Sequence, residues 1–462
     1  MLTYQDLEQV LTAGGGELAA FVLDAVREHQ ASPIYLDAVT AERYATGHNA
    51  LIEQYQKLLY TLTGETVPDN FTANHKCKSG FFKRFVTQRA AFLLGNGVTF
   101  GKNPEQKEKL GRRFDNELYN GGKSALICSV SFGFWNYNHI EFFKLTEFAP
   151  LWDETTGALR AGIRFWRIDP KKPLHCTLYE EDGITDYLQE DSEGPLKQVS
   201  EKRKYKRVIS RSAVSSEIIG ENYGSFPIVP LWASKDKQSM LAGLKEQIDC
   251  YDLIKSGFAN DLDDASMLYW TLSNAGGMDD VSLAQFIERI KVVRAAALDD
   301  NVTAEAHTLE VPYESRETYL SRLKKDLYED AMAVDVTQIA AGNVTATQIL
   351  AAYEPLNEAA DEFEFQVLDF MDSIAQLAGL DADDTPIFKR SQIANQTEET
   401  QMVMSASSAL DDETLLKHLP FLSVDEVEDV LKRKAAESVD RFTDDARDAA
   451  EPDDDDSAGD EE

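Results

Sequence analysis

The residues best suited to chemistry are few, and their spacing does not support it. Gly121-Gly122-Lys123-Ser124 ends like a phosphate loop, in which backbone amides and a lysine cradle a polyphosphate. The full pattern needs a further glycine five positions before Gly122, and Glu117 stands there. A strand should lead into such a loop, whereas the run Asn116 to Asn120 follows a helical stretch. The expected role is a turn followed by a helix N-cap. His75-x-Cys77 and His175-Cys176 are the close His/Cys pairs, and neither has zinc-ligand spacing or a partner pair. HExxH and GxSxG are both absent. Acid pairs such as Asp263-Asp264, Asp279-Asp280 and Asp299-Asp300 read as solvated surface, caps or ion-pair partners. No catalytic residue, metal ligand or cofactor is expected, and the chain does not read as an enzyme.

The elements that would position any site follow from the rest of the chain. At 462 residues, about three domains are expected. An apolar share of 43% is enough for real cores, and no run of about eighteen apolar residues suggests a membrane span. The first thirty residues carry early acids and no basic leader, so no signal peptide is expected. Cys77, Cys128, Cys176 and Cys250 are far apart and irregularly spaced, as free thiols in a reducing compartment would be. The net charge of −35 excludes a broad basic face for nucleic acid. Part of it lies in DDARDAAEPDDDDSAGDEE, a tail too polar to pack.

The fold class is α+β, mainly α. Helical segments broken at Gly14-Gly15-Gly16 and at Gly47 precede a basic, aromatic amphipathic helix, SGFFKRFVTQRAAFLLGNG. Its apolar face is Phe81, Phe82, Phe85, Val86, Ala90, Phe92 and Leu93, and Gly95-Asn96-Gly97 suits a left-handed cap. Lys76, Lys78, Lys83, Arg84 and Arg89 read either as a solvated face or as a contact with acidic neighbours. Residues 135 to about 232 are short β-branched and aromatic runs between turns, an antiparallel region of hairpins and meanders. Pro227 and Pro230 should stop strand pairing at its end. A long helix over 235–266 then carries Leu241, Leu244, Ile248, Tyr251, Phe258 and Leu262 on one stripe. A compact insert with its own helix (Leu283, Phe286, Ile287, Ile290, Val293) separates it from a second helix over 316–335, with Leu320, Leu323, Leu327 and Met332 near one face. The loop VTQIAAGNV leads to a third helix of about 50 Å, opened by a capping box of Thr345 and Gln348. Shorter helices follow, with Ser423 and Glu426 a further box. Helices with such narrow apolar stripes need neighbours, from their own chain or from copies of it.

This order of parts resembles the portal proteins of tailed bacteriophages, specifically the SPP1-type portal family. The similar strings are YLDAVTAERYATGHNAL, SGFFKRFVTQRAAFLLGNGVTF, YGSFPIVPLW leading into LKEQIDCYDLIKSGFANDL, GNVTATQIL and ETLLKHLPFLSVDEVEDVLKR, spread over about 32–437. The resemblance implies a portal-type subunit that assembles as a ring, usually of twelve copies, at one capsid vertex of the virion. Its parts would be an N-terminal helical and β-rich wing (1–234), a stem helix (235–268), a small α/β clip (269–315), a stem helix (316–335), a tunnel loop (336–344), a long wing helix (345–380), a helical crown (381–437) and the acidic tail (438–462). Terminase pumps double-stranded DNA through such a ring, and the same channel later serves ejection. Implied partners are further copies, the terminase large subunit, a head-completion adaptor protein, and the major capsid and scaffolding proteins, with no membrane. The implied place of synthesis is the host bacterial cytoplasm.

Gln338, Gly342, Asn343 and Thr345 are then candidates for DNA contact, with Arg322, Lys324 and Lys325 as basic rings; ordinary i,i+4 ion pairs are the alternative. The stripe of Leu241, Leu244, Ile248, Tyr251, Phe258 and Leu262 is the candidate seam between subunits. Two other readings stay open: an acidic scaffold-type or DNA-mimic interaction protein, and a nucleotide-dependent enzyme around Gly121 to Ser124. Equilibrium binding of labelled ATP tests the last, and Lys123→Ala is expected to leave whatever binding is measured unchanged.

Overall fold

The computed structural model describes residues 2–14, 16–60, 65–69, 72–191, 194–211, 216–265, 269–273, 303–307, 313–340, 345–381, 383–391, 403–405, 411–417 and 430–434, with the single residues 400, 407 and 427. The chain divides into two compact units, one of Met1–Val334 with Pro355–Ser391 and one of Asp335–Glu354 with Gln392–Glu462. It is a mixed α/β protein.

The larger unit opens with helices α1 (Tyr4–Thr12), α2 (Leu18–Ala31), α3 (Pro33–Ala45) and α4 (Ala50–Gln54), then a short hairpin of β1 (Leu58–Tyr60) and β2 (Thr66–Pro68). Gly14 at φ +106 and Gly47 at φ +83 are the breaks between the early helices. Helix α5 (Phe81–Leu94) follows, with Gly97 rather than Gly95 supplying the left-handed residue after it. Next come β3 (Val98–Phe100), α6 (Gln106–Lys109) and α7 (Phe114–Cys128).

The β region starts at β4 (Val130–Asn136), which pairs with β5 (His139–Lys144). Strands β6 (Phe148–Trp152), β7 (Leu159–Trp166), β8 (Leu174–Glu180), β9 (Gly183–Gln189) and β10 (Lys197–Gln198) form a five-stranded antiparallel meander. β11 (Lys206–Arg211) and β12 (Ser216–Glu221) pair with each other. β13 (Ile228–Trp232) pairs with β4, and Pro230 lies opposite Phe132 within that ladder. Pro230 therefore does not stop pairing. β13 is an edge strand, so one row of its backbone needs no sheet partner and a missing N–H is tolerated there.

Helix α8 begins at Lys245, ten residues later than the sequence pattern suggests, and runs to Ala265. Lys237 at φ +57 and Gly243 at φ +82 turn the preceding run out of helical geometry. β14 (Tyr269–Ser273) and β15 (Thr303–His307) pair antiparallel, and the expected insert helix between them lies outside the described residues. Helix α9 (Tyr313–Asp330) starts early and stops before Met332, which takes φ +49 and is 42% exposed rather than continuing the stripe.

The smaller unit holds α10 (Val336–Ala340), so the first five residues of the expected loop are helical; residues 341–344 lie outside the described residues. Helix α11 (Ala346–Ala378) crosses between the units at Pro355, and α12 (Asp412–Lys417) belongs to the smaller unit. Ser423 and Glu426 lie outside the described residues. β16 (Pro386–Phe388) returns to pair with β3 in the larger unit, where shorter helices were expected.

The main core gathers α5, α7, α8, α9 and the 355–378 part of α11, with Phe82, Phe85, Leu93, Leu327, Phe363 and Phe370 almost fully buried. Glycines set its closest approaches. The expected turn at Gly121-Gly122 is the middle of α7. A Cβ at Gly121 would stand 2.4 Å from the ring of Phe142, and one at Gly122 would stand 2.5 Å from Leu94. These glycines leave room for packing in the middle of a helix, where a phosphate loop would need a strand-to-helix turn. Forcing extra atoms into a filled core costs about 1–3 kcal/mol, so Gly121→Val is expected to lower the thermal unfolding midpoint clearly, whereas substitution at the open Gly257 changes it far less.

Candidate functional site

The candidate site is the antiparallel pair α8 and α9 with the segments that grip it. One face of α8 is apolar. Leu241 and Leu244 just before it, with Ile248, are 5%, 4% and 2% exposed and belong to the main core of their own chain. Their neighbours are therefore already present, and they do not await a second copy. Tyr251 packs at the rim of that core, meeting Phe81 edge-on at 5.0 Å. Phe258 is half-buried under the Arg316 guanidinium, which also pairs with Asp261. Leu262, at 52% exposure, is the member of the stripe left most open.

A second face of α8 carries Asp249, Asp252, Ser256 and Asn260, all buried although polar. They recur every three or four residues, as one helix face requires. An extended strap, Asn74 to Ser79, lies along them. The His75 amide donates to Asn260 Oδ1 (2.6 Å), the Cys77 amide to Ser256 Oγ (2.9 Å) and the Ser79 amide to Asp252 Oδ1 (2.9 Å). The repeats match. Four helical residues rise about 6 Å, and two extended residues span about 6.6 Å. Each step of the ladder thus meets every second amide of the strap. Asn49 Nδ2 donates to the other Asp252 oxygen at 3.0 Å, and Tyr44 donates to Asp249. His75 Nε2 reaches Asp263 at 2.5 Å at the far end. Burial pushes the Asp252 carboxyl above its ordinary value, partly offset by its bonds from Ser79 and Asn49.

Helix α5 holds the end of α9. Gln88 Nε2 donates to the Val334 carbonyl (2.9 Å) while its Oε1 accepts the Val334 amide (3.1 Å). Arg89 donates to the Ala331 carbonyl at 3.1 Å, and Arg84 to the Tyr328 hydroxyl. A cation at a helix C-terminus satisfies both free carbonyls and the macrodipole. The basic face of α5 is thus neither simply solvated nor free for a neighbour at Arg84 and Arg89. Tyr328 also meets Phe85 at 5.1 Å and Phe81 at 6.2 Å.

The basic candidates on α9 take the local alternative. Arg322 pairs with Asp326 at 3.1 Å and Lys325 with Glu329 at 3.4 Å, both i,i+4, and Lys324 stands over the Tyr328 ring. Thr345 caps α11: Gln348 accepts the Thr345 amide at 3.1 Å and returns its own amide to Thr345 Oγ1 at 3.4 Å. Gln338 lies on α10; Gly342 and Asn343 lie outside the described residues. Cys128 and Cys176 are buried free thiols pushed up to about 12, too weakly acidic to act as nucleophiles. No helix among the described residues is long and apolar enough to cross a membrane.

The family model for phage portal proteins of the SPP1 Gp6-like type matches residues 41–440. The chain belongs to that family. Two curated portal proteins are similar to this family member: that of Clostridium phage phiCD119, 26% identical over 229 residues, and that of Bacillus phage SPP1, 21% identical over 351 residues. The first alignment covers 48% of this chain and 50% of the relative, the second 72% and 67%. The chain thus spans about half the length of the first relative and two thirds of the second. Among solved structures, a chain from the neck of an empty GTA particle, computed with C6 symmetry, is similar at 11% identity and a TM-score of 0.45. That likeness covers 77% of this chain and 90% of that one. In this family member the glycines at 121 and 122 serve helix packing.

The polar ladder of this portal-family chain was missed in the sequence. Its signal is there: Asp249, Asp252, Ser256 and Asn260 keep the same period as the apolar stripe beside them. The ladder carries a pH dependence. A carboxyl whose folded value lies above its ordinary 3.8 binds its proton more tightly when folded. That contribution is present at low pH and is lost as pH rises through the folded value. Thermal unfolding of wild type and Asp252→Asn between pH 4 and pH 7 is expected to shift in the variant's favour as pH rises.

Proposed function

We propose that this chain is the subunit of a ring-forming phage portal, the head–tail connector at one capsid vertex. The observation that carries the reading is the family match over residues 41–440. In this reading the ring is the conduit through which terminase packages double-stranded DNA and through which the genome later leaves. It is also the platform for an adaptor and the neck, and it meets capsid and scaffolding proteins during assembly. The stem is 235–268 with 316–335, the clip 269–315, the tunnel loop 336–344, the long wing helix 345–380 and the crown 381–437. A ring of twelve copies is the expected form.

The charge distribution supports passage rather than capture. A channel wall that held many phosphates would release many counterions and grip the duplex. Arg322 and Lys325 are each offset by an acid one turn away, so rings of them would present little net positive charge. Contact with DNA would then fall to Gln338, Gly342, Asn343 and Thr345 around the tunnel loop, with Arg322, Lys324 and Lys325 lining the stem. Of the apolar stripe, Phe258 and Leu262 are the members left for the seam between subunits, because the others are held within their own chain.

Sedimentation and negative-stain imaging test the reading. The expected result is a closed ring with an axial opening; a monomer at every salt and protein concentration contradicts it. Duplex DNA is expected to bind the isolated ring weakly, and a tight, salt-sensitive complex would argue against a sliding channel.

A further inference from the structure

Helices α1 and α2 sit on a small core of their own, separate from the main one. Leu7 on α1 and Phe21, Val22 and Val26 on α2 share it with Ile163 and Leu178 of the five-stranded meander. The polar bonds from α1 to this region, Thr3 Oγ1 to Glu154 Oε1 (2.8 Å) and the Glu154 amide to Gln5 Oε1 (3.1 Å), are exposed. His29, in the last turn of α2, is 1% exposed. Its Nε2 lies 2.8 Å from the carbonyl oxygen of Leu145, in the turn between β5 and β6. A carbonyl only accepts, so Nε2 carries the hydrogen and Nδ1 is the lone-pair nitrogen. Nδ1 is buried and has no partner among the described residues. Tyr35 and Phe165 close the ring in edge-to-face, at 5.2 and 6.1 Å.

This seat suits a neutral imidazole and not a charged one. Protonation adds a second N–H at Nδ1, and that donor would have no acceptor while its charge stood out of water. Burial accordingly holds the His29 value below its ordinary 6.5, with the Leu145 bond a smaller opposing effect. The charged and titratable neighbours do not relieve this. On its own helix, Arg27 pairs with Asp24 at 3.8 Å, and Glu28 is exposed. From α3, Tyr35 meets the imidazole ring to ring. From the β5–β6 turn, Lys144 pairs with Glu42 of α3 at 3.0 Å. Glu147 of the same turn and Arg167 at the end of β7 line a neighbouring cavity bordered by Val26 and Phe165. Cys176 of β8 is a buried free thiol. None of these groups bonds Nδ1.

We propose that His29 is an acid-sensitive latch: protonation at Nδ1 frees α2, and α1 with it, from the β meander. An undocked imidazole takes its proton at the ordinary value, and the docked one only at lower pH. Docking is therefore at full strength above 6.5 and weakens as pH falls through it. One pH unit below 6.5, an undocked imidazole is about ten times more often protonated than neutral, so the opening equilibrium rises by up to about tenfold. Regions with few buried contacts open locally while a larger core stays closed. The released segment is 1–31, and its release turns the apolar face of α2 and the facing strands of the meander to solvent.

Amide hydrogen exchange of the full chain, corrected for the intrinsic effect of pH, reads the latch at pH 7.5 and pH 5.5 in wild type and His29→Gln. The glutamine amide donates to Leu145 as Nε2 does, but it does not titrate. Exchange of the His29 Cε1–H, followed by mass spectrometry across the same range, gives the wild-type titration whatever the variant does. The expected result is protection of α1 and α2 that falls about tenfold in wild type and holds within about twofold in the variant, with α5 and α7 unchanged in both. If His29→Gln fails to fold, the same confined loss in wild type, with a Cε1 inflection well below 6.5, supports the latch. An equal loss in the variant overturns it, as does wild-type protection that holds down to pH 5.5. A loss shared with α5 and α7 overturns it too, and so does a Cε1 inflection at or above 6.5.

Discussion

Helix α8 has more buried surface than its apolar residues can line, and much of the larger unit is arranged around that constraint. Asp252, Ser256 and Asn260 are each 1% exposed or less, and buried polar groups must be bonded. The strap meets most of this need with the amides of His75, Cys77 and Ser79, which an extended chain cannot satisfy internally, leaving Asn260 Nδ2 without a partner among the described residues. Each partner solves the other's problem. A helix free to rotate would break three such bonds at once, so the ladder fixes which side of α8 faces the core. Asn49 and Tyr44 extend the same network to α3 and α4, tying the helix to the N-terminal part of the chain.

The second helix of the pair is fixed by different means. α9 has little apolar surface beyond Leu320, Leu323, Leu327 and Tyr328, and its C-terminal carbonyls would otherwise lack partners. Gln88 and Arg89 supply them, so α5 is both a core element and a clamp on the last residues of the larger unit before Asp335. Beyond the smaller segment, Arg390 bonds Asn357 and Glu364 and pairs with Asp361.

In a chain of net charge −35, several cations stand at joints. Lys78 and Arg43 converge on Glu53, Arg316 bridges α9 to Asp261 on α8, and Arg390 holds α11. Exposed pairs of this kind contribute little to stability, typically below about 1 kcal/mol. Their value here is geometric, since each joins two different elements of the chain. The surplus acids elsewhere disfavour broad contact with a polyanion.

The sequence by itself determined the kinds of element and their order. The stripes of α5 and α8, the Thr345 and Gln348 box on α11 and the turn-separated β-branched and aromatic runs of the β region are local patterns, and local sterics and hydrogen bonding suffice to produce them. The ordered strings also carried the family. Tertiary structure decided which surfaces meet. Gly121-Gly122 looks like a turn until Phe142 and Leu94 press against it, because a glycine's role depends on what approaches it from elsewhere in the chain. Pro230 looks like a terminator until β13 proves to be an edge strand, because sheet position is not a local property. Leu241, Leu244 and Ile248 look like a seam until their own chain covers them. A period marks a face but does not name its partner, and so the buried ladder of α8, the clamp from α5 and the seat of His29 appear only once distant segments are packed together.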